Sequence, residues 1–166
     1  ELTLWENAFL SGAHPKHLLN KGFIRVSAST IYADDIVKNF NVKTIGVRAP
    51  AGSLSGGNLQ KFIFGREILQ NPRVLLALQP TWGVDAGSAS AIRQAMIDLA
   101  GKGAAVLVIS QDLEELFEVS DRIAVICEGK VSKIYPASNV TVEEIGLLMA
   151  GIGNGGVQEE LATHAD

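Results

Sequence analysis

The stretch Leu54-Ser55-Gly56-Gly57-Asn58-Leu59-Gln60-Lys61 holds the residues best placed to do chemistry. A serine and two glycines stand where a helical pattern begins, and that pattern runs to about Leu69 and stops at Asn71-Pro72. The first N–H groups of a helix have no partner within it, glycines let a ligand come close, and the helix dipole is positive at this end. Those are the properties of an anion site, best suited to a phosphate. The same residues also make a helix cap and a hinge, and the motif alone leaves both readings open. Ser55 has no His or Asp paired with it in the sequence, which sets aside a hydrolase nucleophile.

More polar residues follow in a fixed order. Gln79-Pro80-Thr81 comes directly after the apolar run Val74–Leu78, and Gly83-Val84-Asp85 comes next. Further on, Ser110-Gln111-Asp112-Leu113 ends a second apolar run, Ala104–Ile109, and Ser120-Asp121-Arg122-Ile123 comes after it.

The elements that must position these residues can be read from the spacing. Ile31, Ala33, Ile36, Val37 and Phe40 recur at helical intervals, predicting a helix over 28–40. Residues 41–53, with Gly46, Pro50 and Gly52, read as loop. Val74–Leu78 and Ala104–Ile109 are short continuous apolar runs, the pattern of parallel strands buried on both faces. Between them Ile92, Met96 and Leu99 line one face of a helix over 88–100, closed by Gly101 and Gly103. Asp112 and Glu115 resemble a capping box opening a short helix to about Val119. Arg122–Cys127 and Lys130–Tyr135 read as two strands of a hairpin turning at Glu128-Gly129. Thr141 and Glu144 form a second capping box before a helix through Met149. Residues 1–21 read as mixed, with a break at Gly12–Pro15. The expected organisation is a helical part over 1–72, an α/β part over 73–150 and a loosely ordered, Gly-rich then polar tail over 151–166.

Composition narrows the function classes. The chain has 166 residues and a net charge of −4, enough length for a real core and a poor balance for a free-standing nucleic-acid binder. Mean hydropathy of +0.21 with 19% charged residues fits a domain whose surface is partly covered by something else. A single cysteine, Cys127, excludes an internal disulfide framework and reads as a small hydrophobe in a strand. No apolar run approaches the roughly 20 residues that span a bilayer, and residues 1–12 lack the basic start of a signal peptide. The opening at Glu1 without Met reads as a fragment boundary. His14, His17 and His164 lack partner ligands for a metal, so no metal ligand is assigned. Asp112, Glu114, Glu115, Glu118 and Asp121 read as a solvated face, and Trp82 as a packing residue. Gly151-Ile152-Gly153-Asn154-Gly155-Gly156 fits a dinucleotide fingerprint in letters only, because no helical pattern follows it.

The ordered series resembles the ATP-binding domain of ABC transporters. Leu54–Asn58 matches that family's signature motif, Val74–Gln79 falls at its Walker B strand and catalytic carboxylate, Gly83–Asp85 at its D-loop and Ile109–Leu113 at its switch-histidine loop. Asn58, the Gln-Pro-Thr at 79–81 and the ending Glu143–Gly151 resemble the second nucleotide-binding half of tandem ATPase subunits serving simple-sugar and nucleoside importers. The resemblance implies the C-terminal part of a P-loop NTPase domain: a helical subdomain, then a mostly parallel sheet with flanking helices.

The departures are as specific. No Gly-x-x-x-x-Gly-Lys-Ser/Thr loop occurs, and Lys43-Thr44 lacks the upstream glycines to wrap a phosphate, so the resemblance places that loop before Glu1. Leu78 stands where the family has its metal-binding aspartate, Gln79 at the general-base glutamate and Gln111 at the switch histidine. Leucine cannot order Mg²⁺, and an amide has no base of useful pKa.

The resemblance therefore implies a degenerate site at Gln79 and Gln111. It also implies that Ser55, Gly56, Gly57, Asn58 and Asp85 face ATP held mainly, with its Mg²⁺, by residues outside this chain. The implied partners are a first nucleotide-binding half or second ATPase subunit, transmembrane permease subunits and, indirectly, an extracytoplasmic substrate-binding protein, with no nucleic acid. The implied place is the cytoplasmic face of the membrane. The fragment alone is expected to be inactive as an ATPase. Two alternatives stand beside this: a soluble, non-transport ABC-type ATPase, and a non-enzymatic interaction module.

Overall fold

The computed structural model describes residues 2–152. The chain forms two compact units, the first ending at Ile109 and the second beginning at Ser110. The expected change at 72/73 from helices to alternating strand and helix falls inside the first unit.

The first unit opens with helix α1 (Leu4–Gly12), in a stretch whose sequence pattern is mixed. Its start is a full capping box, with Thr3 accepting from the Glu6 amide and Glu6 accepting from the Thr3 amide. The next amides are taken by a distant loop: Leu4 donates to the Ala49 carbonyl and Trp5 to that of Val47, both at 3.0 Å. This ties the loop that leads into Ser55 to the start of the chain. A two-residue hairpin, β1 (Leu19–Asn20) and β2 (Phe23–Ile24), comes next. Helix α2 (Val26–Asn39) then buries Ser29, Tyr32, Ala33 and Ile36. The Tyr32 hydroxyl donates to the Arg66 carbonyl at 2.6 Å, and burial pushes its pKa up to about 12.

Helix α3 (Gly56–Ile68) packs on α1 and α2 and buries Phe62, Phe64 and Ile68. Strand β3 (Val74–Leu78), helix α4 (Ala86–Gly101) and strand β4 (Ala105–Ile109) complete the first unit. β3 and β4 pair in parallel, Val74 beside Ala105 through Leu78 beside Ile109. Burial on both faces, expected from the continuous apolar runs, is not what this chain shows. Leu75 and Ala77 are buried, but Val74, Leu76, Leu78, Leu107 and Ile109 on the opposite face are 40–70% exposed. The strands alternate because only one face has a layer against it in this chain.

In the second unit, helix α5 (Leu113–Val119) starts at Asp112, whose carboxylate accepts from the Glu115 amide. The reverse half of the expected capping box does not form, because the Asp112 amide donates to the Ser110 hydroxyl at 3.1 Å. Glu115 is 2% exposed and neither of its carboxylate oxygens has a partner, so it does not belong to a solvated face. The two long strands expected over 122–135 are four short pieces: β5 (Arg122–Ile123), β6 (Ile126–Cys127), β7 (Lys130–Val131) and β8 (Tyr135–Pro136). β6 and β7 pair through the Glu128-Gly129 turn, while β5 pairs with β8. A bond from the Val125 amide to the Ser132 hydroxyl, at 2.9 Å, interrupts the ladder. Helix α6 (Val142–Met149) has the Thr141–Glu144 capping box and packs Ile145 and Leu148 onto Ile123, Val125 and Val140. Cys127 is partly buried and its thiol donates to the Met149 carbonyl at 3.4 Å. His164, Gly153–Gly156 and most of the expected tail lie outside the described residues.

One close contact fixes α3. A Cβ at Gly65 would strike the Phe40 ring, with Cγ at 2.8 Å and Cε2 at 2.9 Å, and Phe40 is itself buried. Gly65→Ala is expected to lower stability by about 1–3 kcal/mol through overpacking, despite the gain in helix propensity. Urea denaturation followed by circular dichroism measures it, with Gly101→Ala, which has open space around it, as the control.

Candidate anion-binding site at the α3 N-terminus

Ser55 occupies the position before α3 in an extended conformation, yet its hydroxyl does not cap the helix. Its Oγ instead accepts a hydrogen bond from Asn58 Nδ2 at 2.9 Å, which leaves the hydroxyl hydrogen available to a ligand. Asn58 Oδ1 accepts from the Lys43 amide at 2.8 Å. One side chain thus fixes the Ser55 rotamer and pins the loop at 43. A second tie runs parallel: Lys61, only 6% exposed, donates from Nζ to the Asn41 carbonyl at 3.0 Å. A surface cleft of about 320 Å³, lined by Lys43, Thr44, Ile45, Ser53 and Leu54, adjoins this end of α3.

The two signature glycines serve different purposes. A side chain at Gly56 would meet nothing within 4 Å, so that position faces open space. A Cβ at Gly57 would meet the Gly83 carbonyl oxygen at 2.9 Å and Val84 Cα at 3.5 Å. Gly57 is therefore what lets the 79–85 loop lie against the start of α3. The structure brings Ser55, Gly56, Gly57 and Asn58 together with that loop. Gln60, which lies in the same stretch but is given no role by the sequence, reinforces the join: its Nε2 donates to the carbonyls of Gln79 at 3.3 Å and Pro80 at 3.2 Å. Its place one turn into α3 was the available signal.

Gln79 ends β3 with φ of 47°, in the left-handed region, and its amide donates to the Ile109 carbonyl at 2.8 Å. Trp82 follows with 74% of its surface exposed, so it does not pack in this unit as expected. Asp85 caps α4, accepting from the Ser88 amide at 3.0 Å and the Ser88 hydroxyl at 2.6 Å. Those two bonds hold its carboxyl below the usual aspartate range, the hydroxyl contributing most. Gln111 lies in the second unit, exposed in the bend before α5.

The donor set fits part of a nucleotide. An uncapped helix start, a presented hydroxyl and an open Gly56 suit a terminal phosphate. The residues do not fit Mg²⁺. Leu78 and Gln79 offer no carboxylate, and no group of three His, Cys, Asp or Glu among the described residues could hold a metal. No helix among the described residues is long and apolar enough to cross a membrane.

Asp85 gives a pH-dependent expectation. Its folded-state pKa is depressed, so its stabilisation is present above the ordinary aspartate pKa and is lost as pH falls through the lowered value. Asp85→Ala is expected to lower the urea midpoint at neutral pH and to approach the parent chain in acid, while Asp85→Asn, uncharged and with a single acceptor oxygen for Ser88, falls between the two at neutral pH. A midpoint gap for Asp85→Ala that does not narrow on acidification counts against the cap as its role.

No family model matches the chain. It is 40% identical over 151 residues to the nucleoside import ATP-binding protein NupA of Lactococcus lactis, covering 91% of this chain and 30% of that protein. It is 38% identical, with the same coverage, to the guanosine import ATP-binding protein NupO of Bacillus subtilis. To the ribose import ATP-binding protein RbsA of Oceanobacillus iheyensis it is 37% identical, covering 93% and 31%. The chain thus spans about three tenths of the length of these relatives. Among solved structures, the ATP-binding cassette MJ0796, a dimer in a post-hydrolysis state with ADP and Pi, superposes with a TM-score of 0.68 at 25% identity, over 82% of this chain and 57% of that one. An ATP-binding subunit of an ABC transporter gives 0.69 at 17% identity, over 90% and 63%, a likeness of fold. Over nine tenths of its length the chain is homologous in sequence to these import ATP-binding proteins, and its fold is that of part of one ABC ATPase cassette.

Proposed function

We propose that this chain is part of the ATP-hydrolysing subunit of an importer for simple sugars or nucleosides, and that its task is to complete an ATP site held chiefly by a partner cassette. The observation that carries this reading is the start of α3. Asn58 holds the Ser55 hydroxyl in place without using it as a cap, beside an unobstructed Gly56. The relatives' names, nucleoside, guanosine and ribose import, support the substrate classes. A cassette solved as a dimer with ADP and Pi supports a site shared between two cassettes. The permease subunits and the cytoplasmic face of the membrane follow from the same reading.

In this role Ser55 and the first amides of α3 would donate to the terminal phosphate as its charge rises during transfer. Bound ATP supplies the phosphoryl group, and its metal is held by residues outside this chain. Asn58 fixes the Ser55 rotamer, and Gly57 lets the 79–85 loop close the side of the site. Gln79 can orient water by hydrogen bonding but cannot take its proton. Turnover at a site that relies on Gln79 for its base would accordingly be slow or absent.

The test uses the full-length subunit with its transporter. Gly56→Asp puts a negative charge where the phosphate would lie, and the open space at Gly56 lets the fold survive it. ATP hydrolysis and substrate uptake are expected to fall by about 10²-fold or more. Ser55→Ala should lose a smaller share, and Gln79→Ala should change the rate less than about threefold, since that position carries no base. Equal loss at Gly56 and Gln79 would assign catalysis to this chain's own site. Full activity in Gly56→Asp would remove the proposed role.

A further inference from the structure

The core of the first unit holds a cation, Lys61, whose charge has no partner. The residue is 6% exposed, and one of its three N–H groups has an acceptor among the described residues, the Asn41 carbonyl at 3.0 Å. No carboxylate lies within ion-pair distance of it among the described residues. An ammonium taken out of water without a counter-charge is costly. Part of the compensation comes from α2, which ends at Asn39, two residues before the carbonyl that Lys61 bonds. The carbonyl end of a helix offers roughly half a negative charge.

The uncompensated part of the charge acts on the start of α3. Lys61 comes four residues after Gly57 and three after Asn58, so the three share one face of the helix, and helical side chains lean toward the N-terminus. The ammonium is thereby carried toward the end of α3 where the helix dipole is already positive. Its acceptor, Asn41, is two residues from the Lys43 amide that Asn58 holds, and Asn58 in turn holds Ser55. Those links put the ammonium on the order of 10 Å from the Ser55 hydroxyl. Asp85 senses the same charge. The Ser88 bonds, the hydroxyl first, do most to hold its carboxyl below the usual aspartate range, and the Lys61 charge adds to them. Asp85 gives its oxygens to Ser88 and makes no ion pair with Lys61. A helix end and a buried ammonium thus direct positive potential at the same place, with no paired anion among the described residues.

We propose that Lys61 is an electrostatic positioning residue for the terminal phosphate of ATP: without touching it, the buried charge sets how strongly the start of α3 favours ATP over ADP. The proposal rests on the partner-site reading above. A buried charge is little screened by salt. At about 10 Å and an effective dielectric constant of about 20, one unit charge changes the binding of another by about tenfold. The tie to Asn41 needs a donor and no charge, so the two roles of Lys61 can be separated.

The experiment uses the full-length subunit in its reconstituted transporter and measures kcat/KM for ATP and the inhibition constant of ADP. Lys61→Gln keeps a donor without the charge, Lys61→Met keeps the apolar stem alone, and Lys61→Arg keeps both charge and donor. Lys61→Gln and Lys61→Met should each lower kcat/KM for ATP by about tenfold, with ADP inhibition changed by less than about twofold, because ADP lacks the terminal phosphate. Lys61→Arg should recover kcat/KM to within about threefold of the parent. Lys61→Met should melt no lower than the parent, since it removes an unpaired buried charge and the exposed Asn41 can bond water instead. It therefore decides the matter where Lys61→Gln folds poorly. Parental ATP kinetics in a folded Lys61→Gln or Lys61→Met, equal loss in all three variants, or equal shifts for ATP and ADP overturn the proposal and leave Lys61 as a loop tie. Gly56→Asp is measured alongside: full activity there removes the partner-site reading itself, whereas its loss with an unaffected Lys61→Met removes this proposal alone.

Discussion

The start of α3 and the loop after β3 depend on one close approach, that of Gly57 to the carbonyl oxygen of Gly83. A Cβ at position 57 would lie 2.9 Å from that oxygen, so no other residue fits without moving the backbone. With glycine there, the loop after β3 lies directly against the first turn of α3. Gln60 then reaches the carbonyls of Gln79 and Pro80, and the end of the strand is fixed to the helix. On the other side Asn58 and Lys61 fasten the loop at 41–43 to the same helix. The α3 N-terminus is held from two directions by hydrogen bonds that leave the Ser55 hydroxyl and Gly56 open.

The same unit is finished on one side and open on the other. Helices α1, α2 and α3 share a core around Leu4, Ala8, Ala33, Ile36 and Phe62, all nearly inaccessible to water. The β3–β4 pair has only one buried face. A parallel pair is normally covered on both faces, and the cassettes that this chain matches are considerably longer than the chain. Part of the apolar surface that composition had indicated lies on this face, and the rest is spread over both units.

Much of this was legible in the sequence because the signals were local. The Ser-Gly-Gly start of α3, the apolar runs of β3 and β4, the Asp85 cap and the Thr141–Glu144 box each depend on neighbours in the chain. What escaped depended on distant partners. Helix α1 has its own capping box at Thr3 and Glu6, but its short length and the apolar residues on several sides hid the period. The β1–β2 hairpin has strands of two residues each, too short for any alternation to register. Trp82 looked like a packing residue by type, but its surroundings lie on the exposed side of the loop. Glu115 looked solvated by composition. Ser110 took the amide its capping partner would have offered, and the carboxylate was left buried without a partner.

The site's geometry and its chemistry have separate sources, and this bears on how the sequence departs from its family's pattern. Position 79 keeps a defined backbone frame: a left-handed φ, an amide bonded to Ile109 and a carbonyl bonded to Gln60. None of those bonds requires a carboxylate, so glutamine stands there without disturbing the strand end or α3. Leu78 likewise fills its place in the β3–β4 register with an apolar side chain. The start of α3 differs, because its useful groups are the backbone itself and one hydroxyl. Changing Gly57 would move the loop, and changing Asn58 would release Ser55. The bonds that hold the end of β3 thus require neither a carboxylate nor a metal, while the anion site proposed at α3 draws on the backbone and one hydroxyl. That asymmetry supports a chain that contributes to a partner's ATP site more than to its own.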